Sequence, residues 1–149
     1  RYQADLVSKE GGFSRTGSRT PMQWCEGKNL GFSTSDEPYL PVDKSADAPT
    51  VENQKDDPDS IYRVVTDLIA LRHKYADLHG NGELEFMMSG DSLAFAYRRG
   101  SLVMYFNPTS EYFEINTRYD GDVVYKIGQA EIADGKIKMQ PQSFLLVNC

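Results

Sequence analysis

The chain has 149 residues, 40% of them hydrophobic and 26% charged, which suits one soluble domain or one small domain with an extra segment, and allows a core of its own. A formal charge of -6 excludes a protein that grips nucleic-acid backbone, which needs clustered lysine and arginine, but is compatible with neutral sugars. The longest apolar run, Leu102 to Phe106, falls far short of the roughly 20 residues of a membrane-spanning helix, so no membrane partner is expected.

No N-terminal signal is visible in a sequence that opens at Arg1. Cys25 and Cys149 are too few for a disulfide framework and show no zinc-ligand spacing. Two reduced thiols in a cytoplasmic protein, or a single bridge, are the readings they allow. No metal and no cofactor is called for.

Residues 1–57 are rich in Gly, Pro, Ser, Thr and Asp and keep no period of either kind, which predicts a long loop with short turns. A loop of that length in a compact protein usually has a function. Within it the run Ser14-Arg15-Thr16-Gly17-Ser18-Arg19-Thr20-Pro21-Met22-Gln23-Trp24 holds two arginine forks, a rigid Thr-Pro step and the only tryptophan. A guanidinium plane suits hydroxyl pairs or a carboxylate that shapes a pocket, and an aromatic ring can cover the apolar face of a sugar. The same residues also describe a packed surface loop anchored by Trp24.

Residues 58–78 read as one amphipathic helix, with Pro58 in the first turn, Asp57 or Asp56 as cap, and Gly80-Asn81-Gly82 as the stop. Ile61, Val64, Val65, Leu68, Leu71 and Tyr75 form its apolar stripe. Arg72 falls inside that stripe, either snorkelling to solvent or buried against a carboxylate or carbonyls. His73 and His79 read as a solvated helix residue and a helix-end residue. The acids Asp56, Asp57 and Asp59 stand where capping, not catalysis, is expected.

Residues 83–148 read as short strands broken by Gly90-Asp91, Arg99-Gly100, Asn107-Pro108, Asp120-Gly121 and Asp134-Gly135, the rhythm of an all-β sandwich. Leu93, Phe95 and Tyr97 alternate with Ala94, Ala96 and Arg98, which predicts a strand with one buried face. Asp134-Gly135 fits a tight hairpin.

The string Arg19-Thr20-Pro21-Met22-Gln23-Trp24, with Asn29 and Gly31-Phe32-Ser33 behind it, resembles the segment after the eighth barrel strand of α-glucosidases of the α-amylase clan. Oligo-1,6-glucosidases and trehalose synthases are the best matches. Tyr39-Leu40-Pro41-Val42, Asp57-Pro58-Asp59-Ser60 and Leu68-Ile69-Ala70-Leu71-Arg72 continue the likeness, so it covers roughly residues 8–78 in order. Thr16, Gly17 and Cys25 depart from the Asp, Asn and Asp that many members carry there.

The resemblance implies a (β/α)8 barrel, which takes about 250 residues and does not fit in this chain. It also implies retaining hydrolysis by a carboxylate nucleophile and a general acid roughly 5 Å apart. In the family these acids precede the matched segment, so no catalytic residue is expected in this chain. An arginine of this loop faces the sugar in exo-acting relatives, often paired with an Asp from an early barrel loop, which makes Arg19 the expected substrate-binding residue of the intact enzyme and Arg15 the fallback.

The expectation is a mainly β protein. Residues 1–79 would be the last loop and helix of an incomplete barrel, and residues 80–149 a C-terminal antiparallel β-sandwich of Greek-key type. It would be the C-terminal portion of a glycosidase acting on α-linked oligosaccharides, inactive alone and partnered by its missing barrel. A non-catalytic carbohydrate-binding or structural module is the rival reading. An exposed aromatic row drawn from Tyr97, Tyr105, Tyr112, Tyr119 and Tyr125 would favour it, whereas sheet packing is the ordinary use of such residues.

Overall fold

The structure, a computed structural model, describes Ser8, residues 19–88 and residues 93–149. The chain divides into two units, Arg1–Ile69 and Ala70–Cys149, the division falling inside a helix. Strands in antiparallel sheets outnumber helices, so the chain is mainly β.

In the first unit the expected loop with short turns contains a 3-10 turn, Lys28–Gly31, and also a short helix α1, Val51–Asp56. Six residues cannot display a helical period in sequence, so α1 carries no signal of that kind. It is held from outside instead. Thr50 Oγ1 accepts the Asn53 N–H at 3.1 Å, and the side chain of this cap is nearly fully buried.

The long helix α2 spans Ile61–Lys74, shorter at both ends than the 58–78 expected. Its cap is not Asp56 or Asp57. Ser60 Oγ accepts the Arg63 N–H at 3.2 Å and donates to Gln54 O at 2.6 Å, while Gln54 Oε1 accepts the Tyr62 N–H at 3.1 Å. Asp57 instead closes a local turn by accepting the Asp59 N–H at 2.9 Å. Ile61, Val65, Leu68 and Ile69 leave an apolar stripe open to solvent in the first unit. Arg72 is exposed, which rules out the buried guanidinium.

In the second unit α2 stops where Tyr75 turns extended (φ -108°, ψ 115°) and a 3-10 turn follows at Ala76–Leu78, so the Gly80–Gly82 stop comes too late. Leu71, Tyr75 and Leu78 pack on a cluster of Leu102, Met104 and Leu146. That packing, which no local sequence rule contains, fixes the helix end. His73 and His79 are both exposed, on the last turn of α2 and just past the 3-10 turn.

Eight strands follow among the described residues: β1 Glu85–Met88, β2 Phe95–Arg99, β3 Leu102–Asn107, β4 Phe113–Asn116, β5 Asp122–Ile127, β6 Ala130–Ala133, β7 Lys136–Met139 and β8 Ser143–Asn148. They form a five-stranded sheet, β1-β2-β3-β8-β5, and a three-stranded sheet, β4-β7-β6. Ala96, Val103, Tyr105, Leu145 and Val147 of the first share one buried cluster with Ala130, Ile137 and Met139 of the second. The turn between β6 and β7 is the tight hairpin expected, with Asp134 at φ 54° and Gly135 at φ 71°, the positive pair a type I′ turn requires.

The alternation around β2 is present with the small residues inward. Ala94 and Ala96 are buried, while Leu93 is 75% and Phe95 36% exposed. Phe95 stacks on Phe106 at 4.5 Å, and Phe106 meets Phe144 at 4.7 Å and Tyr97 at 5.5 Å, so the outer face of the larger sheet carries an aromatic row. Of the five tyrosines named above, Tyr97 and Tyr125 belong to that row and Tyr105 is buried.

The turn between β2 and β3 is latched from outside the sheet. Asp77 Oδ2 accepts both the Ser101 N–H and the Ser101 hydroxyl at 2.9 Å. Gly100 has φ 57°, and a Cβ added there would overlap the Asp77 carboxylate. The two Ser101 bonds, backbone first, hold the Asp77 carboxyl below the usual carboxylate range, with Arg98 and Arg99 adding smaller pulls against a modest desolvation. A carboxyl depressed by folding stabilises the fold above its unfolded value, near 3.9, and loses that contribution as pH falls through the lower folded value. Urea midpoints measured from neutral pH down to about pH 2 should therefore show an acid limb that Asp77→Asn flattens. An unchanged limb would mean that the latch contributes nothing.

Candidate functional site

The run from Arg19 to Trp24 is seated on the start of α1. A helix leaves its first N–H groups without internal partners. Here Val51 N–H donates to Gln23 O at 2.9 Å and Glu52 N–H to Trp24 O at 3.0 Å, so two carbonyls of the run complete the helix end. Asn53 Nδ2 adds a bond to Glu26 Oε1 at 3.2 Å. The sequence signal was Thr50 directly before Val51, a favoured cap residue at a helix start.

The other side of the run is fixed by the 3-10 turn. Trp24 N–H and Cys25 N–H both reach Leu30 O, at 2.9 and 3.3 Å. Gly31 lies so close that an added Cβ would stand 2.7 Å from Cys25 Sγ and 3.2 Å from Trp24 Cβ, which explains the glycine. Asn29 Nδ2 donates to Ser33 O and Ser35 O at 3.0 and 2.7 Å. Lys28 Nζ bonds Thr34 O at 2.9 Å and Asp36 Oδ1 at 2.7 Å. Asn29 and Gly31 thus build the loop, the first through its amide Nδ2 and the second through the close approach it permits.

The side chains that this frame presents are mixed. Pro21 is buried, whereas Arg19 is exposed, and Met22, Trp24 and Phe32 are each about half exposed. Tyr39, at 71% exposure, stands on a cleft of about 550 Å³ lined also by Asn29, Asp36, Glu37 and Lys44. A rigid backbone displaying an arginine and aromatic rings suits recognition of a polyhydroxylated ligand. Arg15 lies outside the described residues.

Asp56, Asp57 and Asp59 are exposed around the turn before α2. Among the described residues no group of three or more His, Cys, Asp or Glu could hold a metal ion. Cys25 and Cys149 are unbridged, and burial raises the Cys149 thiol above its ordinary value. No helix of the described residues is long and apolar enough to cross a membrane.

A mainly β chain that also holds a braced loop with exposed Arg and Trp fits the glycosidase resemblance, and comparison with known proteins supplies the family. Residues 2–81 match the family model for the alpha-amylase catalytic domain, more than half of the chain, and the chain belongs to the alpha-amylase family. Among individual proteins it is 43% identical over 86 residues to the probable oligo-1,6-glucosidase 2 of Bacillus subtilis strain 168, covering 58% of this chain and 15% of that protein. It is 33% identical over 104 residues to an alpha-glucosidase of Candida albicans, covering 68% of this chain and 18% of that protein. The chain therefore spans less than a fifth of the length of these relatives. In fold it resembles the crystal structure of the trehalulose synthase MutB from Pseudomonas mesoacidophila MX-45, with TM-score 0.79 and 22% identity over 97% of this chain and 28% of that one.

Proposed function

We propose that this chain is the C-terminal portion of a glycoside hydrolase acting on α-glucosidic bonds of oligosaccharides. Its residues 1–79 serve as the last loop and helix of a barrel, and residues 80–149 as a Greek-key β-sandwich. The observation that carries the reading is the Arg19–Trp24 run, braced on α1 and lying inside the segment that matches the catalytic-domain family. Arg19, with Arg15 as the alternative, lines the substrate pocket once the barrel is present, and the enzyme works in the cytoplasm. The exposed stripe of Ile61, Val65, Leu68 and Ile69 supports this, since such a face on a helix calls for a covering partner, here the barrel.

Retaining hydrolysis needs two carboxyl groups held across one bound sugar, and the resemblance puts both before the matched segment. The purified 149-residue chain should therefore show no turnover of maltose, isomaltose or an aryl α-glucoside. Turnover that a point substitution within the chain abolishes would overturn the reading.

A further inference from the structure

The outer face of the three-stranded sheet is polar and regular. Its strands alternate strictly. The rows Phe113–Met139–Ala130 and Ile115–Ile137–Ile132 point to the core, and the rows between them, Glu114–Lys138–Glu131 and Asn116–Lys136–Ala133, point away. The pairing runs on past the strands, because Gln140 N–H donates to Gln129 O at 2.9 Å. Two amide side chains are thereby set next to each other, beside Glu131 and Lys138.

At the end of this face stands Tyr112, 51% exposed, its hydroxyl donating to Glu114 Oε2 at 2.9 Å. Tyr112, Lys126, Gln129, Glu131, Lys138 and Gln140 line a groove of about 400 Å³, within the range of small-ligand clefts. The ring offers a flat apolar surface already oriented by its hydroxyl. The amides offer donors and acceptors side by side.

The chemistry selects the ligand class. Lys138 faces Glu131 at 3.7 Å and Lys136 bonds Glu114 at 2.6 Å, so positive and negative groups alternate and no field of one sign favours an anion. The face lacks the contiguous apolar centre of a protein-docking surface. A neutral molecule with an apolar ring face and a rim of hydroxyls matches both halves of the groove. We infer that this groove is an accessory site for an α-linked oligosaccharide, with Tyr112 as the stacking platform and Gln129, Gln140 and Glu131 as hydroxyl partners. The α-linkage rests on the function proposed above, whereas the sugar class rests on the groove.

The test is titration of the isotopically labelled 149-residue chain with isomaltotriose, maltotriose and cellotriose in the millimolar range. Amide shifts should move at Tyr112, Gln129, Glu131 and Gln140 with an α-linked probe. Tyr112→Ala should weaken binding about tenfold, Tyr112→Phe should retain most of it, and Gln129→Ala should weaken it about threefold. The substituted residues are exposed, so the fold survives each change. Trp24, the only tryptophan, reports the loop independently by fluorescence. Sugar-dependent change at Trp24 with a silent sheet overturns the accessory site and leaves the proposed function standing. No shift at the sheet with any probe, a preference for cellotriose, or affinity indifferent to Tyr112→Ala also overturns it. Sheet binding that persists when the longer enzyme proves inactive on α-glucosides would separate the site from the functional reading.

Discussion

Replacing Arg19 with lysine in a longer enzyme that carries this chain should lower kcat/KM for an α-linked disaccharide at least tenfold, about 1.4 kcal/mol of transition-state stabilisation, with folding intact. The argument is one of geometry. Lysine keeps the charge and loses the planar fork, and the fork is what holds a carboxylate, or a pair of sugar hydroxyls, in a fixed plane. The backbone that positions Arg19 is rigid on its C-terminal side, where Pro21 is buried and Gln23 O and Trp24 O are bonded to α1. In the intact enzyme a carboxylate partner would orient the fork before the substrate arrives, so its loss should appear in the rate constant as well as in binding. Arg19 is exposed, which leaves little packing to lose in the substitution. Steady-state kinetics with circular dichroism as the folding control provides the measurement. Unchanged kinetics for Arg19→Lys alongside a crippled Arg15→Lys would move the role to Arg15, and no effect from either would make the loop scaffold.

The largest stability effect should come from Asn107, which the sequence marked only as one half of a turn signal. Its side chain is fully buried. Its Nδ2 group donates to Glu111 O at 2.8 Å and Gln140 O at 3.0 Å, and its Oδ1 accepts from Thr109 N at 3.2 Å and Thr109 Oγ1 at 2.7 Å. One amide therefore ties the end of β3 to the loop before β4 and to the end of β7. Alanine would break all of these bonds at a fully buried position and leave the Thr109 N–H without this acceptor, at a cost of about 3 kcal/mol. That cost stands although Glu111 O keeps Thr109 Oγ1 and Gln140 O keeps Ser143 Oγ. Aspartate should be as damaging, because it replaces the amide donor with an acceptor oxygen facing two carbonyl oxygens. Urea denaturation followed by far-ultraviolet dichroism should show a lower midpoint for both. A change below about 0.5 kcal/mol, the range of ordinary surface substitutions, would show that water replaces the network without loss.

What the sequence disclosed followed from the scale of each signal. The Arg19–Trp24 string, the Asp134-Gly135 hairpin and the strand rhythm are local, and the residues that specify them are the residues that form them. The end of α2 is not local. Tyr75 leaves helical geometry while its ring packs with Leu71 and Leu78 on Leu102, Met104 and Leu146, all distant in sequence. The facing of β2 was undetermined for a similar reason, since a period of two shows that faces differ but not which is inside. Small alanines lie inward because the core between the sheets is filled from other strands by Val103, Tyr105, Met139 and Leu145. The role of Tyr112 needed three strands in register before its neighbours could be known.

The bonds from Val51 and Glu52 to the carbonyls of Gln23 and Trp24 make the Arg19–Trp24 loop and the start of α1 a single opening unit. Neither can detach alone without stranding the polar groups of the other, so their amides should exchange with solvent together. Sequence drift around Thr50, far along the chain from Arg19, would then alter how long the arginine is held in its presenting position. On the function proposed above, selection on the grip of this loop can therefore act through residues that never meet a ligand.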